Sequence, residues 1–410
     1  MNSSGFRVAK RILPVIAFFL ALCLAIPFIA GSPADRRATV RIGALVPLSG
    51  DFQSFGVVMK NAMLLAQETV NQEGGIHGRP LEIILADTQG RASLAESVVK
   101  DLAENRKAVM LIGGYSSDAT FSLAKAADRI DLPFVVCTAS ADRITRMGWK
   151  NLYRINPPVS EYTQGLEDFW IKEFRPKSIV VIYENSMFGT DGARRMIEFC
   201  RENAIEIRAH IPYDKAMTQP AYFRSLIAPL TLNPPEVIYM ISYLEDAVTL
   251  VGQIRAVGVD SLLCGDAGGF TLNEFIQRTG QDAEGLLTTT LWSQHLPYPG
   301  AKAFHESYVE RFNDPPDYHG AEAYAAVLVA ADALRRAENH SPGTIRRALN
   351  QTVMMTPFGP VRFYSYHLYE RQNSIRTLVL QIINGRFTLI WPPEFAESGF
   401  IPPAALRVPD

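Results

Sequence analysis

From Val40 onward, short apolar runs alternate with amphipathic stretches. VRIGALVPL (40–48) ends at Ser49-Gly50, and GVVMKNAMLLAQETVNQE (56–73) repeats its apolar positions at helical spacing before stopping at Gly74-Gly75. LEIILAD (81–87) reads as a strand, SLAESVVKDLAEN (93–105) as a helix and AVMLIGG (108–114) as a strand. SSDATFSLAKAADRI (116–130) is helical again, and LPFVVCTAS (132–140) is a strand ending in small residues. After LYRINPPVSE (152–161) the alternation restarts with SIVVIYE (178–184), TDGARRMIEFCRENA (190–204), IEIRAHIPY (205–213), VIYMIS (237–242), EDAVTLVGQIRAVG (245–258), SLLCGDAGG (261–269) and GLLTTTLW (285–292). Two further helices are predicted at 299–313 and 321–338. The last segment, 359–394, reads as antiparallel strands with Asn384-Gly385 as a tight hairpin turn.

Strands separated by helices predict parallel sheets with right-handed crossovers. Two such series, in a chain of 410 residues, predict two doubly wound α/β lobes. Ligands of such sheets sit beyond the carboxyl ends of the strands, where strand order reverses. The unusual residues gather at those ends, in PLSGDFQSFG, GGYSSDAT, CTASAD, ENSMFGTD, MISYLED and CGDAGG.

The first 34 residues break the pattern. Arg7, Lys10 and Arg11 precede the apolar run LPVIAFFLALCLAIPFIAG, and SPADRR follows, which is the layout of a cleaved secretory leader. An uncleaved anchor is the competing reading, since the run is nearly long enough to span a bilayer. Lipidation at Cys23 is disfavoured because Leu22 stands where a small residue is wanted. The remaining cysteines, Cys137, Cys200 and Cys264, have no paired spacing and an odd count, so buried free thiols are expected. A net charge of −2 gives no reason to expect a nucleic-acid partner.

At Ser116-Ser117 a hydrolase nucleophile is one reading, but Gly114-Tyr115-Ser116-Ser117-Asp118 lacks the second glycine of a nucleophile elbow, and no histidine has a motif context. A helix N-cap is stronger, with one of the two hydroxyls bonding a free backbone N–H. Such an N-terminus also attracts a carboxylate, and Thr138, Ala139 and Ser140 at the neighbouring strand end extend the cradle. Asp266 is either a loop acid or the partner of a cationic ligand group. Phe55, Tyr115, Phe188 and Tyr243 each read alone as core more often than pocket, but together at strand ends they would line a partly apolar cavity. GDAGG and EGGIHG fit no phosphate-binding motif, no metal-ligand cluster stands out, and no cofactor is expected.

IGALVPLSGDFQSFG, NQEGGIHGRPLEIILAD, IGGYSSDAT, PFVVCTASAD, IVVIYENSMFGTDGARRM, GDAGGF, TPFGPVRF and NGRFTLIWPPE, in this order, resemble the periplasmic branched-chain amino acid-binding proteins, the leucine/isoleucine/valine receptors of ABC importers. The resemblance runs from about Arg41 to Pro393. It implies a type I periplasmic-binding fold, two lobes joined by three crossings near Arg154–Pro158, Thr289–Trp292 and Val361–Tyr364. Lobe 1 is then 38–156 plus 291–362, and lobe 2 is 157–290 plus 363–400. It further implies a periplasmic, non-enzymatic, monomeric receptor that hands a small molecule to an ABC permease. Ser117, Thr138, Ala139 and Ser140 would hold the ligand carboxylate end, Asp266 and Tyr243 the ammonium, and Phe55 the side chain. Phe188 stands where a tyrosine is frequent, Tyr115 is bulkier than usual, and Ser116 replaces a disulfide cysteine with none near Asp87. An amino acid with a branched-chain, other apolar or aromatic side chain is the expected ligand. The alternatives are an amide, urea or aromatic acid, or a ligand-sensing role beside a chemoreceptor.

Overall fold

In the computed structural model, residues 39–403 are described, so the leader reading at 1–34 and Cys23 lie outside the described residues. The first series forms β1 (Val40–Val46), β2 (Leu81–Asp87), β3 (Leu111–Gly113), β4 (Phe134–Val136) and β5 (Leu152–Arg154). The second forms β6 (Ser178–Glu184), β7 (Glu206–Tyr213), β8 (Val237–Ile241), β9 (Leu262–Gly265) and β10 (Leu287–Thr290). Both are parallel sheets, as the alternation predicts. The central strands β6 and β8 are almost wholly buried, which is why they read as unbroken apolar runs. β7 lies at the edge of its sheet, and its charged and polar positions face outward.

Six more strands follow, of which the last four complete the two sheets: β11 (Val353–Thr356), β12 (Gly359–Arg362), β13 (Tyr364–Tyr366), β14 (Tyr369–Gln372), β15 (Leu378–Ile383) and β16 (Arg386–Trp391). The sheet orders are β13-β14-β5-β4-β3-β1-β2 and β16-β15-β10-β9-β8-β6-β7, with β11-β12 a separate pair. β15 and β16 are antiparallel, and both turn residues have positive φ (Asn384 52°, Gly385 69°), as an Asn-Gly hairpin requires.

The expected third crossing at Val361–Tyr364 is followed by two strands that still pair with the first sheet. β14 lies parallel to β5 through Gln372 and Arg154, and the chain reaches the second sheet only at β15. Side chains fasten this arrangement. The Arg154 Nε donates to Gln372 Oε1 at 2.6 Å, Gln372 Nε2 donates to the Asn156 carbonyl at 2.7 Å, and Asn373 Nδ2 donates to the Ile155 carbonyl at 3.1 Å. Local patterning carries no trace of a pairing between positions more than 200 residues apart.

Strand order reverses between β1 and β3 in one sheet and between β6 and β8 in the other. In doubly wound sheets such switch points are where a ligand cleft is expected. The two sheets touch across it. Arg194 Nη2 donates to Asp142 Oδ2 at 3.0 Å, the Asp142 N–H donates to Asp191 Oδ2 at 3.0 Å, and Thr271 Oγ1 donates to Asp317 Oδ2 at 2.7 Å.

Candidate functional site

On the first sheet the loop after β1 is held by Asp87 at the end of β2. Its carboxylate accepts from the Leu48 N–H at 2.8 Å and the Ser49 hydroxyl at 2.6 Å. Burial works to raise its pKa, but these bonds and one from the Gln89 N–H outweigh it and hold the group below the usual carboxylate range. The loop thus fixed feeds the Gln53–Gln72 helix, whose Phe55 is fully buried and stacks on Tyr115 at 4.6 Å.

Ser116 is the N-cap of the Ser117–Arg129 helix, but its hydroxyl makes no capping bond. Ser117 Oγ instead accepts from the Ala141 N–H at 3.1 Å, tying the helix start to the loop after β4. The expected serine cap is therefore absent. Gly113 and Gly114, at φ 113° and 85°, face inward: a Cβ on Gly113 would meet the Leu45 carbonyl at 2.3 Å, and one on Gly114 would meet Thr120 at 2.7 Å. Their work is close packing against β1 and the helix, not space for a ligand.

Thr138 turns its hydroxyl inward as well, donating to the Gly114 carbonyl at 2.7 Å, so it locks the ends of β3 and β4 together. The Ala139 carbonyl accepts from Arg154 Nη1 at 3.3 Å, and the Ser140 carbonyl accepts from the Val159 N–H at 2.7 Å. Ser140's hydroxyl lies against Tyr162, whose own hydroxyl donates to Asn156 Oδ1 at 3.0 Å.

On the second sheet, Asp266 follows β9 and is fully buried. Thr289 Oγ1 donates to its Oδ1 at 3.3 Å, while Oδ2 has no hydrogen-bond partner. A Cβ on Gly192 would come within 2.9 Å of that free oxygen, so the glycine makes room for it. Burial pushes the Asp266 carboxyl up to about 7, with the nearby hydroxyls of Tyr239 and Thr289 working against it. Ala267 holds φ 43°, a strained conformation for a residue with a side chain. Phe188 and Tyr243 close over this side with ring centroids 5.4 Å apart, and Phe188 packs beside Gly268.

The four predicted aromatic positions meet. Tyr115 lies 5.8 Å from Tyr243 across the cleft, and its buried hydroxyl has no partner. The Tyr243 hydroxyl reaches Ser116 and the Ser117 N–H, so a lobe-2 oxygen rests on the lobe-1 helix start. Phe52, which sequence reasoning missed, adds contacts at 4.7 Å to Tyr243 and 5.5 Å to Tyr115. His319 was missed too. It is buried, 4.8 Å from Phe55 and 5.4 Å from Tyr115, with Nδ1 2.6 Å from Asp317 Oδ2. Its signal was an Asp-x-His at the start of a strongly apolar helix. A separate cavity of about 270 Å³ lies to one side, lined by Trp292, His295, His305, Arg386 and Glu397 and by none of the predicted residues. Unpartnered polar atoms and opposed charge tendencies converge at the switch points rather than there. Among the described residues, no cluster of His, Cys, Asp and Glu has the layout of a metal site.

Residues 39–375 match the family model described as periplasmic binding protein. The chain belongs to the periplasmic binding protein family. A similar curated relative is Leu/Ile/Val-binding protein homolog 7 of Brucella melitensis, 25% identical over 393 residues, covering 92% of this chain and 97% of the relative. Among solved structures, the branched-chain amino acid transporter substrate binding protein LivJ of Streptococcus pneumoniae, in complex with isoleucine, superposes with a TM-score of 0.78 at 22% identity, covering 87% of this chain and all of that one. A solute-binding protein of an ABC transporter from R. palustris in complex with benzoate reaches 0.76 at 18% identity, over 86% of this chain and 95% of that one. These two likenesses establish the periplasmic-binding fold, with its paired doubly wound lobes.

Proposed function

We propose that the protein is the extracytoplasmic solute receptor of an ABC importer, that it performs no catalysis, and that it binds an α-amino acid between its lobes. The observation that carries this reading is a pair of incomplete sites facing one cleft. The Ser117–Arg129 helix begins without a side-chain cap, and Asp266 keeps one carboxylate oxygen unpartnered. A helix start favours a carboxylate, and a buried lone carboxylate favours an ammonium. The Tyr243 hydroxyl resting on the Ser117 N–H supports the first half, since an oxygen already fits there. Ser117 and Ser140 then serve the ligand carboxylate, Asp266 the ammonium, and Phe55, Tyr115, Phe188 and Tyr243 the side chain. Thr138 and Ala139 shape the strand end from behind.

Names among the relatives, such as the Leu/Ile/Val-binding homologue, support the amino-acid class. The benzoate-bound neighbour supports a second reading, an aromatic acid. Asp266 argues against it, because a ligand without an ammonium leaves that carboxyl buried and unpaired. Mass spectrometry of small molecules released on denaturing the purified protein tests the choice, together with thermal shift. α-Amino acids are expected to raise the melting temperature, and benzoate is not. Stabilisation by benzoate alone would sink the amino-acid reading.

A further inference from the structure

The Tyr318–Arg336 helix runs through the interior, with 15 of its 19 residues buried. Glu322 lies on it with no exposed surface, and neither carboxylate oxygen has a hydrogen-bond partner. A solvated acid on an outer face is thus excluded. Burying a carboxyl without partners is costly even when it is neutral. Such groups are rare unless something else completes them.

Its surroundings place it at the base of the cleft. Tyr318 and Glu322 are one turn apart and share a helix face. Helical side chains lean toward the N-terminus, so the Glu322 carboxyl lies over the turn that Tyr318 opens. Tyr318 is itself a cleft residue: its hydroxyl accepts from the Gly268 N–H at 3.3 Å, two residues from Asp266 on the other lobe. The Tyr162 ring stands edge-on to it at 6.4 Å, and Asn156, bonded to Tyr162, also donates to the Thr138 carbonyl at 2.6 Å. Burial first and the nearby Glu322 charge second push up both the Tyr162 phenol and the Cys137 thiol, which puts the acid behind the β4 strand end.

Burial and then the Asp317 charge push the Glu322 carboxyl well up, and the Arg154 charge offsets this only in part without bonding to it. Arg154 is the only buried lysine or arginine among the described residues. Its guanidinium is taken by Gln372, Thr145 and the carbonyls of Ala139 and Ala141. Buried acids elsewhere find arginines, as Glu167 does with Arg195 and Asp142 with Arg146 and Arg194. Asp266, Glu184, Asp246 and Glu322, around the cleft, have none. The interior of the site is therefore short of positive charge, while several of its hydroxyls, Tyr115 and Ser242 among them, stay unpartnered.

We infer that Glu322 is a specificity-determining residue, and that the ligand offers it a second nitrogen donor, an amide or amine beyond the α-ammonium. This rests on the reading that the cleft binds an α-amino acid. The aromatic rings would then flank the alkyl stem of a side chain that ends in nitrogen.

Calorimetry on the full chain, refolded to strip bound ligand, tests it with L-leucine, L-glutamine and L-lysine against wild type, Glu322→Gln and Glu322→Leu. Wild type is expected to bind L-glutamine or L-lysine about tenfold or more tighter than L-leucine, the worth of one charge-assisted hydrogen bond. Glu322→Leu should remove that preference and leave L-leucine affinity within about threefold. Should Glu322→Leu fail to fold, Glu322→Gln keeps the volume and an acceptor, and it should weaken L-lysine more than L-glutamine. Wild type preferring L-leucine, or either variant shifting all three probes equally, overturns the inference while leaving the amino-acid reading intact. Failure of all three probes to bind wild type overturns both.

Discussion

The two faces of the cleft are built from the same topology and opposite chemistry. At the carboxyl ends of β1, β3 and β4 stand glycine, alanine, serine and threonine, and the charge is the partial positive end of the Ser117–Arg129 helix. At the ends of β6, β8 and β9 stand buried Glu184, Asp246 and Asp266. Burial pushes these carboxyls up to about 7, about 6 and about 7, with the Asp246 charge adding to Glu184 and Glu245 to Asp246. One face lends a helix dipole at the strand ends, with Glu322 set behind it, and the other lends acids that no arginine pairs. On the proposed function, the two faces together would suit a molecule with both poles, and neither face alone would.

The largest effect should come from the acidic face. Asp266→Ala is expected to cost about 2–5 kcal/mol in affinity for the best bound of L-leucine, L-glutamine and L-lysine, read by calorimetry. Unchanged affinity would remove the asymmetry between the faces. On the other face, Ser117→Ala loses one donor while the backbone N–H groups remain, so a smaller loss of about 1–2 kcal/mol is expected. A Ser117 effect equal to that of Asp266 would mean that the hydroxyl, not the helix end, holds the carboxylate.

The pH response separates the faces further. A carboxyl whose folded pKa is raised stabilises the fold below its unfolded value, and that contribution is lost as pH rises through the folded value. With Asp246 at about 6 and Glu184 and Asp266 at about 7, the melting temperature of the ligand-free protein should fall between pH 5 and 8. Asp266→Asn should flatten that slope, and a slope identical to wild type would show that Asp266 is ionised throughout. The smallest effect belongs to Tyr115→Phe. Its hydroxyl has no partner, so ligand-free stability should stay within about 1 kcal/mol of wild type or rise slightly. A loss beyond that, in a chemical denaturation series, would reveal a bond made by the hydroxyl.

Much of this architecture was legible in the chain because it is written locally. Strands such as SIVVIYE and VIYMI announce themselves by unbroken apolar runs, and Asn384-Gly385 announces its hairpin. The strand-end position of Asp266, Tyr115 and Tyr243 followed from the same alternation. What stayed hidden depends on tertiary placement. Nothing near Tyr364–Gln372 says that it pairs beside β5, since the partner is over 200 residues away. Glu322 reads as one polar residue among alanines until the helix is found to be interior. The missing serine cap depends on side-chain geometry, and composition is silent on it.

The bonds joining Arg154 and Asn156 to Gln372 and Asn373 bear on how such a molecule can move. Two of the chain passages between the halves are clasped side by side, leaving the stretch after Thr290 to travel separately. On the proposed receptor function this would be a door on two hinges rather than three loose straps, with the clasped pair setting the axis and resisting twist.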